Sequence, residues 1–64
     1  MEKIKFYISQ YFDGNLEIEC NHMHYMYKDG FNFDDFPREE LIDRMAEIQE
    51  HCLSENILPI FEVK

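Results

Sequence analysis

Tryptophan is absent from this chain of 64 residues, and Ala46 is its only alanine. Its two glycines stand alone in turns, so no glycine-rich loop exists to cradle a phosphate. Its two cysteines, Cys20 and Cys52, lack paired Cys-x-x-Cys spacing, which removes the usual signature of a structural zinc site. No apolar run approaches the length of a membrane span. The early apolar stretch Ile4 to Ile8 is broken by Lys5 and is too short for a secretory h-region. Without a secretory signal, the two cysteines read as reduced thiols of a cytoplasmic protein. Positive charge is scarce: six Lys and Arg stand against fourteen Asp and Glu, for a net charge of −8. That balance opposes the phosphate contacts on which nucleic-acid binding rests.

What is present fits one domain, residues 1–64. A chain this short buries only about 60% of the surface its unfolded form exposes, so its stability is small. Residues 34–56 predict the only helix. Leu41, Met45, Ile48 and Cys52 recur at i, i+4, i+7 and i+11, one stripe of a 3.6-residue period. Ile42 and Leu53 are expected to widen that stripe. Asp34 and Asp35 favour the helix N-terminus, and Pro37 suits its first turn. His51 falls in the last turn, Asn56 fits the left-handed position after it, and Pro59 prevents continuation.

Residues 3–12 alternate Ile4, Phe6 and Ile8 against Lys3, Lys5, Tyr7 and Ser9, as a strand does. Residues 16–27 form the expected return strand, with Leu16, Ile18 and Cys20 on one face and Glu17 and Glu19 on the other. The turn between them is decided by parity. A two-residue Asp13-Gly14 loop would set Ile8 opposite Glu19. A three-residue loop, Phe12-Asp13-Gly14 with Gly14 left-handed, sets Ile8 opposite Ile18 and Phe6 opposite Cys20. The second arrangement keeps the apolar residues on one face. Lys28-Asp29-Gly30 marks another turn. Phe31, Phe33 and Phe36 follow, and they are expected to fold back and cap the core. Residues 60–64 form a last short strand.

The expected fold is α+β: a two-layer β-β-α-β unit with a three-stranded antiparallel sheet and the helix packed on one face. The first strand, the most apolar, takes the centre.

The most specific chemical pattern is Cys20-Asn21-His22-Met23-His24. Alternation puts Cys20, His22 and His24 on one strand face, and Cys52 lies on the helix stripe that faces the sheet. Those four residues are one candidate zinc set. The plainer reading makes both cysteines small core residues. Nucleophilic catalysis finds no support. His51 and Cys52 are adjacent on a helix and so point about 100° apart, and neither Ser9 nor Ser54 has an evident base. The expectation is a non-enzyme without a cofactor.

The outer helix face carries Glu40, Asp43, Glu47 and Glu50, with Glu39 beside them. Between positions 34 and 55 there are eight acids and two bases, so this stretch holds −6 of the chain's −8. Such a face is either a solvated surface that aids solubility or a carboxylate array that meets a basic surface on another macromolecule. Tyr7, Tyr11 and Tyr25 are expected on the open sheet face, where Tyr7 and Tyr25 can anchor a partner.

In size, acidity and order of elements the chain resembles small phage-encoded inhibitors of host machinery, namely inhibitors of bacterial RNA polymerase and anti-CRISPR proteins. The richness in Phe, Tyr, Ile, Asn, Lys and Glu is common in AT-rich genomes, including many phages. No motif carries the resemblance, so it transfers no functional residue. It implies a stoichiometric binder that acts as a nucleic-acid mimic and occupies the basic surface of a host nucleic-acid-binding protein in the host cytoplasm. Met23 to Tyr27, rich in aromatics, departs from that analogy. Two alternatives come from other classes: a zinc-binding module using Cys20, His22, His24 and Cys52, and a self-assembling subunit whose tyrosine face forms a homodimer.

Overall fold

The computed structural model describes residues 1–20 and 33–64. The alternating first segment forms β1, Glu2–Gln10. Of the return strand expected over residues 16–27, residues 21–27 lie outside the described residues, and the structure describes β2, Leu16–Cys20. The two pair antiparallel, with Ile8 opposite Ile18 and Phe6 opposite Cys20. The three-residue loop is what sets this register. Gly14 adopts φ 93° and donates its N–H to the Tyr11 carbonyl at 3.1 Å, while the Tyr11 N–H reaches the Asn15 carbonyl at 2.7 Å. A positive φ costs a side-chain-bearing residue energy that glycine does not incur.

The chain then comes back along β2. Leu16 and Phe36 exchange backbone hydrogen bonds of 2.8 and 3.0 Å, and the Ile18 N–H reaches the Phe33 carbonyl at 2.6 Å. These contacts correct the expected start of the helix. Residues 34–36 are not helical: Asp35 is left-handed with φ 52°, and Phe36 is bridged to β2. Pro37 is extended and leads into a 3-10 turn, Arg38–Glu40. Only then does the α-helix begin. α1 spans Leu41–Ser54, and Asn56, with φ 61°, takes the left-handed position that its side chain tolerates. The 3-10 turn also changes the element order, which runs strand, strand, 3-10 turn, helix, strand.

The last strand, β3, is Ile57–Val63, three residues earlier in its start than expected. The sheet order is β2-β1-β3, with β1 in the centre as the sequence implies. The sheet is mixed, however, not antiparallel throughout, because β3 runs parallel to β1. The physical reason lies in the Phe33–Phe36 contacts. They carry the chain back along β2 before the helix starts, so α1 begins at the far end of the sheet. β3 therefore leaves α1 in the direction of β1. Pro59 sits within β3, which an edge strand permits because a missing N–H on the outer side breaks no ladder bond.

The core lies between the sheet and α1. Ile4, Phe6 and Ile8 of β1, Leu16, Ile18 and Cys20 of β2, Ile48 and Cys52 of α1, Ile57 of β3, and Phe36 are buried. Phe33, Leu41, Met45 and Phe61 pack against them. Phe6 is the centre of an aromatic group, 5.6 Å from the Phe61 ring centroid and 6.2 Å from that of Phe33 in edge-on geometry. Phe33 and Phe36 thus cover the core as expected, and Phe31 lies outside the described residues. Ile42 and Leu53 do not join the stripe. They are 74% and 45% exposed, because a sheet of three strands is too narrow to meet more than the arc from Leu41 to Cys52.

Candidate partner-binding surface

The core-facing stripe fixes which side of α1 meets solvent. With 100° per residue, Asp43, Glu47 and Glu50 project away from the sheet, and all three are exposed. Glu40 continues the row from the end of the 3-10 turn, its side chain 43% exposed. Over this row one carboxylate appears for about every 5 Å of helix axis, comparable in density to the one phosphate per about 3.4 Å of a single nucleic-acid strand. Among the described residues Arg44 is a cation beside the row. It bonds Glu40 at 3.0 Å and lies over the Phe36 ring, 5.4 Å from the centroid. Its charge is directed back toward the body of the protein, and Asp43, Glu47 and Glu50 stay on the outer side. On the next flank His51 Nε2 stands 3.4 Å from Glu55.

The sheet face away from α1 is polar and internally paired around Tyr7, with Leu58 and Ile60 on it opposite Lys3 and Lys5. Tyr7 is half-buried in the middle of β1, in register with Glu19 of β2 and Glu62 of β3. Lys5 pairs with Glu62 at 3.3 Å, and Lys64 reaches across to Glu19. That contact holds the Lys64 ammonium above its usual range. Ser9 donates to Glu17 at 2.8 Å. The expected tyrosine platform is therefore, around Tyr7, a lattice of charges that satisfy one another. Tyr25 lies outside the described residues.

Tyr11 closes this face. Its hydroxyl sits between Glu17, at 2.8 Å, and Asp34, which ties the returning segment to the hairpin. Hydrogen bonding to Asp34, then to Glu17, pushes the phenol well above its ordinary value. Asn15 adds a second tie, its side-chain amide donating to Asp35 at 2.9 Å. An open hollow of about 430 Å³ is lined here by Tyr11, Phe12, Asp13, Asp34 and Asp35. The contact between Tyr11 and Glu17 was available to sequence reasoning, since the register places them diagonally on one face. Asp34 was not, because its charge and position before Pro37 suit a helix N-terminus.

Of the candidate metal ligands, Cys20 and Cys52 are buried thiols within the apolar core. His22 and His24 lie outside the described residues. Among the described residues no group of three or more His, Cys, Asp or Glu could hold a metal ion. No helix among them is long and apolar enough to cross a membrane. Comparison of the chain with protein-family models, with curated proteins and with solved structures finds no match.

Proposed function

We propose that this protein is a non-enzymatic inhibitor that binds a nucleic-acid-handling protein of its host through the outer face of α1. The observation that carries the reading is the row Glu40, Asp43, Glu47 and Glu50. It is held rigid by a buried opposite face, and its neighbouring cation, Arg44, is turned onto Phe36. A fixed line of carboxylates attracts a basic groove at long range and orients the encounter. Aromatic side chains, with Tyr25 and the half-buried Tyr7 as candidates, supply the short-range anchor. Such a binder works by occupancy and requires no catalytic group or cofactor.

The test is affinity capture from host lysate with two baits, the wild type and Asp43→Lys/Glu47→Lys. The reading expects a basic, nucleic-acid-binding protein held by the wild type, lost by the charge-reversed bait and displaced by added DNA. Equal capture by both baits would remove the acidic face from the mechanism.

A further inference from the structure

Among the described residues β3 is an edge of the sheet, and the backbone groups on its outer side meet no partner there. The Lys64 N–H bonds the Ile8 carbonyl at 2.8 Å, so residue 64 directs its backbone toward β1. Backbone direction alternates along a strand. Leu58, Ile60 and Glu62 therefore also face β1, while Ile57, Pro59, Phe61 and Val63 point outward. Pro59 is consistent with this parity, since its missing N–H falls on the outer side. The outward row offers the N–H groups of Phe61 and Val63 and the carbonyls on either side of them.

A strip of α1 runs beside this edge. Arg44 leans over Phe36 on the β2 side, so the opposite flank of the helix, Ile42, Ala46, Gln49 and Leu53, lies on the β3 side. Leu41 and Val63 line the same hollow, so the start of α1 lies over the end of β3. Ile42 is 74% exposed, Leu53 45% and Val63 86%. Singly exposed apolar residues are ordinary. Here Val63 stands on the edge strand, Ile42 and Leu53 share the helix flank on that side, and Glu50 and Asp43 come next around the helix.

We infer that this edge receives an extended, basic strand of the partner protein, which adds to the sheet beside β3. Its backbone pairs with Phe61 and Val63, alternate apolar side chains cover Ile42, Val63 and Leu53, and its Lys or Arg residues meet Asp43 and Glu50. The basic character of the strand rests on the reading of the acidic face given above; the strand addition itself rests on the edge. A second copy of this chain is a poor occupant. It would bring another charge of −8, and the same helix acids, to one line of contact.

The test uses a fluorescein-labelled peptide of alternating lysine and valine, read by fluorescence anisotropy and by amide chemical shifts of the full chain. Saturable binding is expected, with the largest shifts at Phe61 and Val63. Val63→Pro deletes one outward N–H and leaves the ladder to β1 intact. It should weaken binding about tenfold, the worth of one interfacial backbone hydrogen bond, while Val63→Ala weakens it less. Ile42→Gln, at an exposed position, serves as the second variant and should also weaken binding. Unchanged affinity in both Val63→Pro and Ile42→Gln overturns the strand addition, as does the absence of any binding. A wild type that is dimeric by light scattering, and monomeric as Val63→Pro, overturns it in favour of a second copy. Failure of the acidic-face reading has a different signature: Asp43→Lys/Glu47→Lys binds the peptide as the wild type does, while Val63→Pro does not.

Discussion

The guanidinium of Arg44 rests 5.4 Å from the centroid of the Phe36 ring while its Nη2 bonds Glu40 at 3.0 Å. One side chain thus ties three elements: the helix, the 3-10 turn before it and the segment bridged to β2. A planar, delocalised cation suits both contacts, and a lysine ammonium suits only the ion pair. Arg44→Lys should therefore lose about 0.5–1 kcal/mol of stability and Arg44→Ala more, because the latter also uncovers the buried ring. Urea unfolding monitored by circular dichroism measures both. Equal stability of wild type and Arg44→Lys would mean that the stacking contributes nothing.

Ile48 and Ile42 stand six residues apart on α1 and have opposite fates, 1% and 74% exposed. Ile48→Ala should cost roughly 2–5 kcal/mol, enough to unfold much of a domain this small. Ile42→Ala should change stability by less than about 0.5 kcal/mol. A reversed order in the urea midpoints would place the wrong face of the helix on the sheet.

Gly14, at φ 93°, isolates a backbone effect, since a Cβ added there meets nothing within 4 Å. Gly14→Ala should cost about 1–2 kcal/mol by conformation alone. Gly14→Asn should cost less, as asparagine enters the left-handed region more readily. The comparison is made by thermal melts, and an alanine variant as stable as the wild type would contradict the turn geometry.

The Tyr11 phenol is bound by Asp34 and Glu17, and both carboxylates oppose a phenolate. Its folded-state value therefore lies above the ordinary 10.0. Protonated Tyr11 contributes stability that is fully present below pH 10 and is lost as pH rises toward the folded-state value. The wild type should accordingly exceed Tyr11→Phe in urea midpoint by a constant margin from neutral pH to about pH 10, and that margin should narrow above it. A margin that stays constant above pH 10 would show that the phenol proton is not held in the folded state.

Much of this fold is legible in the sequence because it rests on local rules. Parity alone chose the three-residue loop, since the alternative sets Glu19 against Ile8, and Asn56 stood out as the residue able to take φ 61° after α1. The core stripe of α1 followed from its period. The direction of β3 did not, because it depends on where the chain is delivered by the contacts of Leu16 with Phe36, and no local pattern encodes that pairing. The same contacts keep Asp34 and Asp35 out of the helix, although their charge suits a helix N-terminus. Of the candidate surface, the acidic row was visible from spacing, whereas the strip beside β3 became visible only when the narrow sheet left Ile42 and Leu53 uncovered.

The acidic row makes the functional prediction, measured against the captured partner. Asp43 and Glu47 are exposed, and neither has a stabilising contact among the described residues. Exchanging both for lysine should leave the melting temperature nearly unchanged, since isolated surface charges matter little to folding. Association is another matter. Long-range attraction between the row and a basic groove raises the on-rate, and added salt screens it within a Debye length of about 8 Å at physiological ionic strength. The wild-type on-rate should fall as salt rises, and the double reversal should lower it at every salt concentration and flatten that dependence. Tyr25→Ala, removing a proposed aromatic anchor, should act instead through faster dissociation. A binder that uses only the sheet face predicts the converse: the double reversal leaves affinity intact, and Tyr7→Ala or Tyr25→Ala abolishes it. Surface plasmon resonance at two salt concentrations separates the two. Salt-independent binding that survives the reversal would leave the helix face as a solubilising surface and no more.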